Sequence, residues 1–233
     1  MNSIASMKNA LLHLFYPHVC AGCGSDALPR DSQLCFLCLQ ELPVTGFERH
    51  CNNPVEKIFS GRLQFEAATA FCYFSKQAAL QHILHQFKYG GNRALGRQLG
   101  IAFGQAVKKS DRFNTIDAIV PLPLHSVRER KRGYNQAAVL AESIAEVMEV
   151  PVWEDIVHRV AATATQTKKN RVERWQNMQG KFFIAENQKA AGKHLLLIDD
   201  VVTTGATLEA CGSVLLNMPG VRLSIAALCY ASD

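Results

Sequence analysis

Leu195–Ala210 reads LLLIDDVVTTGATLEA. Leu195 to Ile198 form an unbroken apolar run, the pattern of a strand covered on both faces of a parallel sheet. Two adjacent carboxylates, Asp199 and Asp200, end it. The turn Thr203-Thr204-Gly205-Ala206-Thr207 follows and leads into a segment with helical character. In an open α/β sheet, ligands bind beyond the carboxyl ends of the strands. The acids are therefore expected at the ligand-binding edge, with the turn beside them at the positive end of a helix.

The chemistry of that pairing is restrictive. Backbone N–H groups and the hydroxyls of Thr203, Thr204 and Thr207 can surround an anion, and Gly205 lets the backbone approach closely. Carboxylates do not favour a phosphate directly, but they accept hydrogen bonds from sugar hydroxyls or attract a divalent cation. A phosphate cradle beside acceptors for a diol describes a 5-phosphoribosyl group. The dinucleotide pattern G-x-G-x-x-G and the P-loop are both absent. A plain strand-to-helix turn capped by threonine would not call for two adjacent acids.

The rest of the chain sets the frame. Its 233 residues can bury one substantial core plus a small accessory. A net charge of +5 permits an anionic ligand or nucleic acid without demanding one. No segment reaches the roughly 18 consecutive apolar residues that span a bilayer. The start, MNSIASMKNALLHLFYPHVC, has an apolar core too short for a secretory signal, interrupted by His13. It predicts a short amphipathic helix over 1–14 and a cytoplasmic chain with reduced thiols.

Four of the eight cysteines lie in CAGCGSDALPRDSQLCFLC. Cys20 and Cys23, and Cys35 and Cys38, form two C-x-x-C pairs, the spacing of a tetrahedral zinc site. Disulfides or four free thiols are the alternatives. Four thiolates would leave no open position, so a zinc here would be structural. Cys72, Cys211 and Cys229 sit in apolar segments and read as small buried hydrophobes. Cys51, with His50 as its nearest companion, is an ambiguous second metal candidate.

Strand candidates are Ala67–Phe74, the stretch AIVPLPL, HLLLID and VRLSIAALCY, with weaker ones near Ile156 and Phe182. They alternate with helical segments, so a parallel sheet with helices on both faces is expected. Residues 1–60 are expected to form the helix and zinc-binding module, and 61–233 the α/β domain.

The motif LLLIDDVVTTGATL resembles the phosphoribosylpyrophosphate (PRPP) signature of the type I phosphoribosyltransferases. The order of the cysteine knuckle, FKYGGN, PLPLHSVRERKRGYNQAAVLA, TATQTKKNRVERWQNMQGKF and that signature is similar to the ComF/GntX family of competence-associated, phosphoribosyltransferase-like proteins. The resemblance covers almost the whole chain. Many relatives carry more cysteines in the first module, where this chain keeps only Cys51 beyond the four.

Several expectations follow from the resemblance. Asp199 and Asp200 contact the ribose hydroxyls and magnesium, and Thr203, Thr204, Gly205, Ala206 and Thr207 hold the 5-phosphate. Lys88, Tyr89 and Gly90 occupy the place of the pyrophosphate loop, although lysine and glycine are also common at a helix end. The basic run Arg128–Arg132 with Asn135 is a candidate lid or second-substrate contact, Arg128, Arg132 and Asn135 being its chosen residues; the bland reading is a solvated charged face.

Lys168, Lys169, Arg171 and Arg174, beside Trp175, could grip single-stranded DNA by charge and stacking or form a solvated helix face. The implied function is PRPP binding with magnesium, as a phosphoribosyltransferase acting in competence or DNA uptake and utilisation, with DNA-uptake or recombination proteins as partners. The alternative is a non-catalytic PRPP sensor or single-stranded-DNA-binding module. The histidines do not cluster, and no residue is assigned a catalytic role.

Overall fold

The computed structural model describes residues 18–74, 78–159, 182–185 and 188–231. The helix expected over 1–14 and the basic stretch Lys168–Arg174 with Trp175 lie outside the described residues. Among the described residues no helix is long and apolar enough to cross a membrane.

Four parallel strands form the central sheet: β1 (Ala68–Tyr73), β2 (Ala118–Pro121), β5 (His194–Val202) and β6 (Arg222–Tyr230), in the order β1-β6-β5-β2. The apolar run before the acids is thus in a central strand, as its composition required. Its side chains alternate in the period-two manner of a strand. Leu196 and Ile198 join one core cluster, while Leu195 and Leu197 join the other. The weak strands near Ile156 and Phe182 exist, but they do not extend the parallel sheet. β3 (Val157–Arg159) and β4 (Phe182–Ile184) pair with each other, antiparallel, as a separate ribbon.

The first core cluster is covered by α3 (Ala78–Tyr89), α4 (Arg93–Lys108) and α6 (Gln136–Met148). Gly96, Gly100 and Gly104 recur at every fourth residue along α4. A Cβ at Gly100 would lie 2.6 Å from the Ser143 Cβ, and one at Gly104 would lie 3.1 Å from the Ile144 Cα. Gly100 and Gly104 let α4 and α6 approach more closely than larger residues would allow, while Gly96 makes room for the Phe87 ring of α3.

The second cluster is covered by α7 (Ala206–Leu216) and α2 (Pro54–Phe59), through Leu208, Cys211 and Leu215 on one and Val55 and Phe59 on the other. Full burial of side chains such as Phe59 and Leu215 contributes about 1.5–3 kcal/mol each. Cys72, Cys211 and Cys229 are buried free thiols, as their apolar surroundings implied.

The cysteine segment packs onto the first cluster. Leu34, Cys38 and Leu42 share it with Ile83, Phe87 and Leu95. The Gln98 side chain on α4 accepts from the Gln33 and Leu34 backbone N–H groups at 2.8 and 3.0 Å and donates to the Ser32 hydroxyl at 2.9 Å.

Candidate functional site

β5 continues through the acids to Val202, because β6 pairs with it over that whole length, Val202 opposite Tyr230. On its other side β2 stops at Pro121, opposite Ile198. The last rung there is the Leu122 N–H donating to the Ile198 carbonyl at 2.8 Å. Asp199 and Asp200 therefore lie on a strand that has lost one neighbour, in a notch beyond the end of β2.

The notch opens into a cavity of about 200 Å³. Its wall includes Asp199, Asp200 and Thr207, together with four cations, Lys88, Arg128, Arg132 and Arg159. The Lys88 ammonium is 3.1 Å from Asp200 Oδ2, and the Arg132 guanidinium is 3.6 Å from it. These side chains are only 13–20% exposed, so solvent screens the pairing weakly. Asp199 Oδ1 accepts the Asp200 backbone N–H at 2.7 Å. Burial and the adjacent Asp200 charge nevertheless push the Asp199 carboxyl up to about 7, against the pull of Lys88 and Arg132.

Local bonds hold the cationic wall in place. Lys88 and Tyr89 are in the last turn of α3, and the Gly90 N–H closes that turn on the Gln86 carbonyl at 2.9 Å. The basic run folds as a short helix, α5 (Ser126–Arg132), which ends at Gly133 with φ +80°. The Arg132 guanidinium stacks over the exposed Tyr89 ring at 5.5 Å and donates to Gln136 Oε1 at 2.7 Å. The Tyr134 hydroxyl donates to the Phe87 carbonyl, tying the end of α5 to the end of α3. Asn135 lines the cavity, but its amide is engaged: Oδ1 caps the Ala137 N–H at 3.0 Å and Nδ2 donates to the Leu122 carbonyl at 3.0 Å.

The threonine-glycine turn is exposed at Thr203, Thr204 and Thr207 and buried at Gly205. Gly205 takes the N-cap position of α7 with φ +70°, and no side chain caps the helix. The first N–H groups of α7 thus have no capping side chain at the positive end of the helix dipole.

Two polar residues of this cavity were not singled out as candidates from sequence. Arg159 reaches it from the ribbon. Burial and the neighbouring Arg128 lower its pKa, while Asp199 raises it. A lone arginine in a three-residue strand carries no motif, so only the ribbon's position reveals it. Gln136, 1% exposed, receives Arg132 and lines the same cavity. It stood inside the RGYNQ stretch, but its spacing alone suggested no role.

The second centre is the cysteine cluster. The four sulfurs of Cys20, Cys23, Cys35 and Cys38 all lie within 4.8 Å of one another, and Cys23 and Cys35 are 3.8 Å apart. A tetrahedron of Zn–S bonds near ~2.3 Å has edges of about 3.8 Å. The Gly22 and Cys35 N–H groups point at Cys20 Sγ, at 3.4 and 3.3 Å. Burial opposes charge on this thiol, but N–H groups of this kind bring its pKa down to about 6. A Cβ at Gly22 would sit 2.8 Å from Cys38 Sγ, so a larger residue there would push that sulfur out of place. The four thiols can hold one metal ion. Among the described residues, His50 and Cys51 join no group of three or more potential ligands.

A phosphoribosyl transferase domain model matches residues 134–233. Competence protein F of Haemophilus influenzae is 27% identical over 94% of this chain and 93% of its own length. Competence protein ComFC of Bacillus subtilis is 28% identical over 85% of this chain and 78% of its own. The DNA utilization protein YhgH of Escherichia coli is 27% identical over 91% and 89%. With the parallel sheet and the carboxyl-terminal domain match, the chain has a phosphoribosyltransferase-like fold, and together with its amino-terminal four-cysteine cluster it is similar over most of its length to these ComF-type competence proteins.

Proposed function

We propose that the chain binds PRPP with magnesium in the notch beyond β2 and transfers the 5-phosphoribosyl group to a nitrogen acceptor. The observation that carries this reading is the joining, in one cavity, of an acid pair, an uncapped helix N-terminus and a wall of four cations. The N–H groups and hydroxyls of residues 203–207 receive the 5-phosphate. Asp199 and Asp200 accept from the ribose hydroxyls and attract magnesium. Lys88, with Tyr89 and Gly90 behind it, and Arg132 and Arg128 face the pyrophosphate; magnesium, when bound, adds positive charge to the departing group. The cations then stabilise charge on that group as the bond to the anomeric carbon breaks. No covalent protein nucleophile is required.

The cysteine cluster is assigned a structural zinc, in an amino-terminal module reaching to about residue 60, and the reduced thiols accord with a cytoplasmic location. The relatives' names carry the words competence and DNA utilization. They favour a role in DNA uptake or use, with single-stranded DNA or DNA-uptake and recombination proteins as partners; they also keep open a PRPP-binding regulator without turnover.

Calorimetry with PRPP and magnesium tests the binding, and pyrophosphate release over a panel of nitrogen acceptors tests the transfer. PRPP binding without release for any acceptor would favour the regulator. A labelled single strand that stays free near 150 mM salt would remove the DNA contact.

A further inference from the structure

The space behind Gly205 is filled by the amino-terminal half of the chain. A Cβ at Gly205 would lie 2.6 Å from Ile58 Cγ2 and 2.7 Å from Phe59 Cε1. α2 therefore forms the back wall of the turn, and the glycine meets protein there. Arg62, one turn beyond α2, reaches across the same junction. Its Nη1 donates to the Ile58 carbonyl and to the Thr204 carbonyl, each at 3.1 Å. Its Nη2 pairs with the Glu209 carboxylate. Thr204 precedes the turn glycine, and Glu209 lies in the first turn of α7. One planar guanidinium thus spans the turn from both sides, with its fork fixed in geometry.

α2 is itself anchored. Asn53 caps it and donates to the His50 and Ala68 carbonyls at 2.9 and 2.8 Å, while Glu56 pairs with Arg112. Phe59 is fully buried. The wall from which Arg62 projects is buried and held by these bonds, whereas the turn is exposed at Thr203 and Thr204 and is uncapped.

We infer that Arg62 is a positioning residue for the anion-binding turn Thr203–Thr207: it holds the turn's N–H groups in their receiving geometry from outside the domain's signature motif. The ligand half of this inference rests on the 5-phosphate reading above; the clamp itself does not. Arg62's side chain is 42% exposed, and an exposed ion pair contributes little to global stability. Its effect is therefore expected locally, in the turn's order and in anion affinity, with little change in melting temperature.

The test compares full-length wild type with Arg62→Ala, Arg62→Lys and Glu209→Gln. Hydrogen exchange is read at amides 203–208, and ribose 5-phosphate and inorganic pyrophosphate are titrated separately. Arg62→Ala should speed exchange in the turn and weaken ribose 5-phosphate by roughly tenfold, with pyrophosphate affinity unchanged. Arg62→Lys keeps the charge without the fork and should recover only part of the loss. Glu209→Gln should act in the same direction as Arg62→Ala, more weakly.

Unchanged turn exchange in Arg62→Ala overturns the clamp, whatever the ligand. Tighter ribose 5-phosphate binding in Glu209→Gln also overturns it, because a released Arg62 would then be touching the anion itself. Wild type that fails to bind ribose 5-phosphate overturns the 5-phosphate reading instead, and the exchange result still decides the clamp.

Discussion

The two walls of the cavity are built in opposite ways. The acid-and-turn wall, Asp199 to Thr207, is one continuous stretch that leaves a central strand and enters a helix. The cationic wall draws Lys88 from the end of α3, Arg128 and Arg132 from α5 and Arg159 from the ribbon. A local wall is set by backbone geometry, with the unbroken apolar run fixing the strand and the glycine fixing the turn. A dispersed wall depends on tertiary contacts, here the Tyr134 hydroxyl on the Phe87 carbonyl and Arg132 on Gln136. Damage to the backbone geometry of the turn should abolish binding, whereas loss of a single side chain on either wall should weaken it by degrees.

The largest effect is expected at Gly205. Gly205→Val places a β-branched residue at positive φ, where it is a backbone outlier, and drives its Cβ into Ile58 and Phe59. PRPP binding should be lost, with stability lowered by about 1–3 kcal/mol in denaturant unfolding. Full affinity in this variant would mean that the turn does not hold the phosphate.

Next come the acids. Asp199→Asn and Asp200→Asn should each weaken PRPP by about one to two decades, roughly 1.5–3 kcal/mol for a hydrogen bond to a charged group. Unchanged affinity in both would remove them from the site.

The acids also differ in proton affinity, which gives a third and smaller signature. Asp199 titrates near 7 in the folded chain, above the ordinary 3.8. The native state therefore holds this proton more tightly than the unfolded chain. Its contribution to stability is complete below about pH 4 and is lost as pH rises through about 7. Asp199→Asn should flatten that part of a stability-versus-pH curve, while magnesium–PRPP, which favours the ionised acid, should bind wild type more tightly above pH 7 than below it. A curve identical in the variant would contradict the burial of this charge.

The smallest effect on ligand is expected from the cysteines. Cys35→Ser should lower bound zinc from one per chain by elemental analysis and loosen the residues around the knuckle, while PRPP affinity changes little. Wild type prepared without chelator and carrying no zinc would reject the metal.

Legibility followed the same division. The central strand, its acids, the turn and the main helices could be read from periodicity and punctuation. So could the two C-x-x-C pairs, because both sets of residues are contiguous. Other features could not. β5 runs on past the acids only because β6 continues beside it, which is a property of pairing. The segments near Ile156 and Phe182 were visible as apolar runs, but their separate antiparallel pairing was not, and with it Arg159 stayed hidden. The glycine of the turn was legible, yet only part of its reason was: besides serving the turn, it makes room for Ile58 and Phe59, which stand nearly 150 residues earlier in the chain. Lys88 was expected at the place of the pyrophosphate loop, with a plain helix end as the alternative, and it does lie in the last turn of α3. Its 3.1 Å approach to Asp200 and its place in the cavity wall distinguish it from any other helix end.

The claim that the two walls hold one ligand between them is tested most directly by titrating PRPP with magnesium into wild type and into Arg132→Ala, followed by calorimetry. One molecule should bind per wild-type chain, and the variant should bind about tenfold or more weakly while keeping its affinity for ribose 5-phosphate. Wild type that binds no PRPP, or a variant that binds PRPP as tightly as wild type, would contradict it.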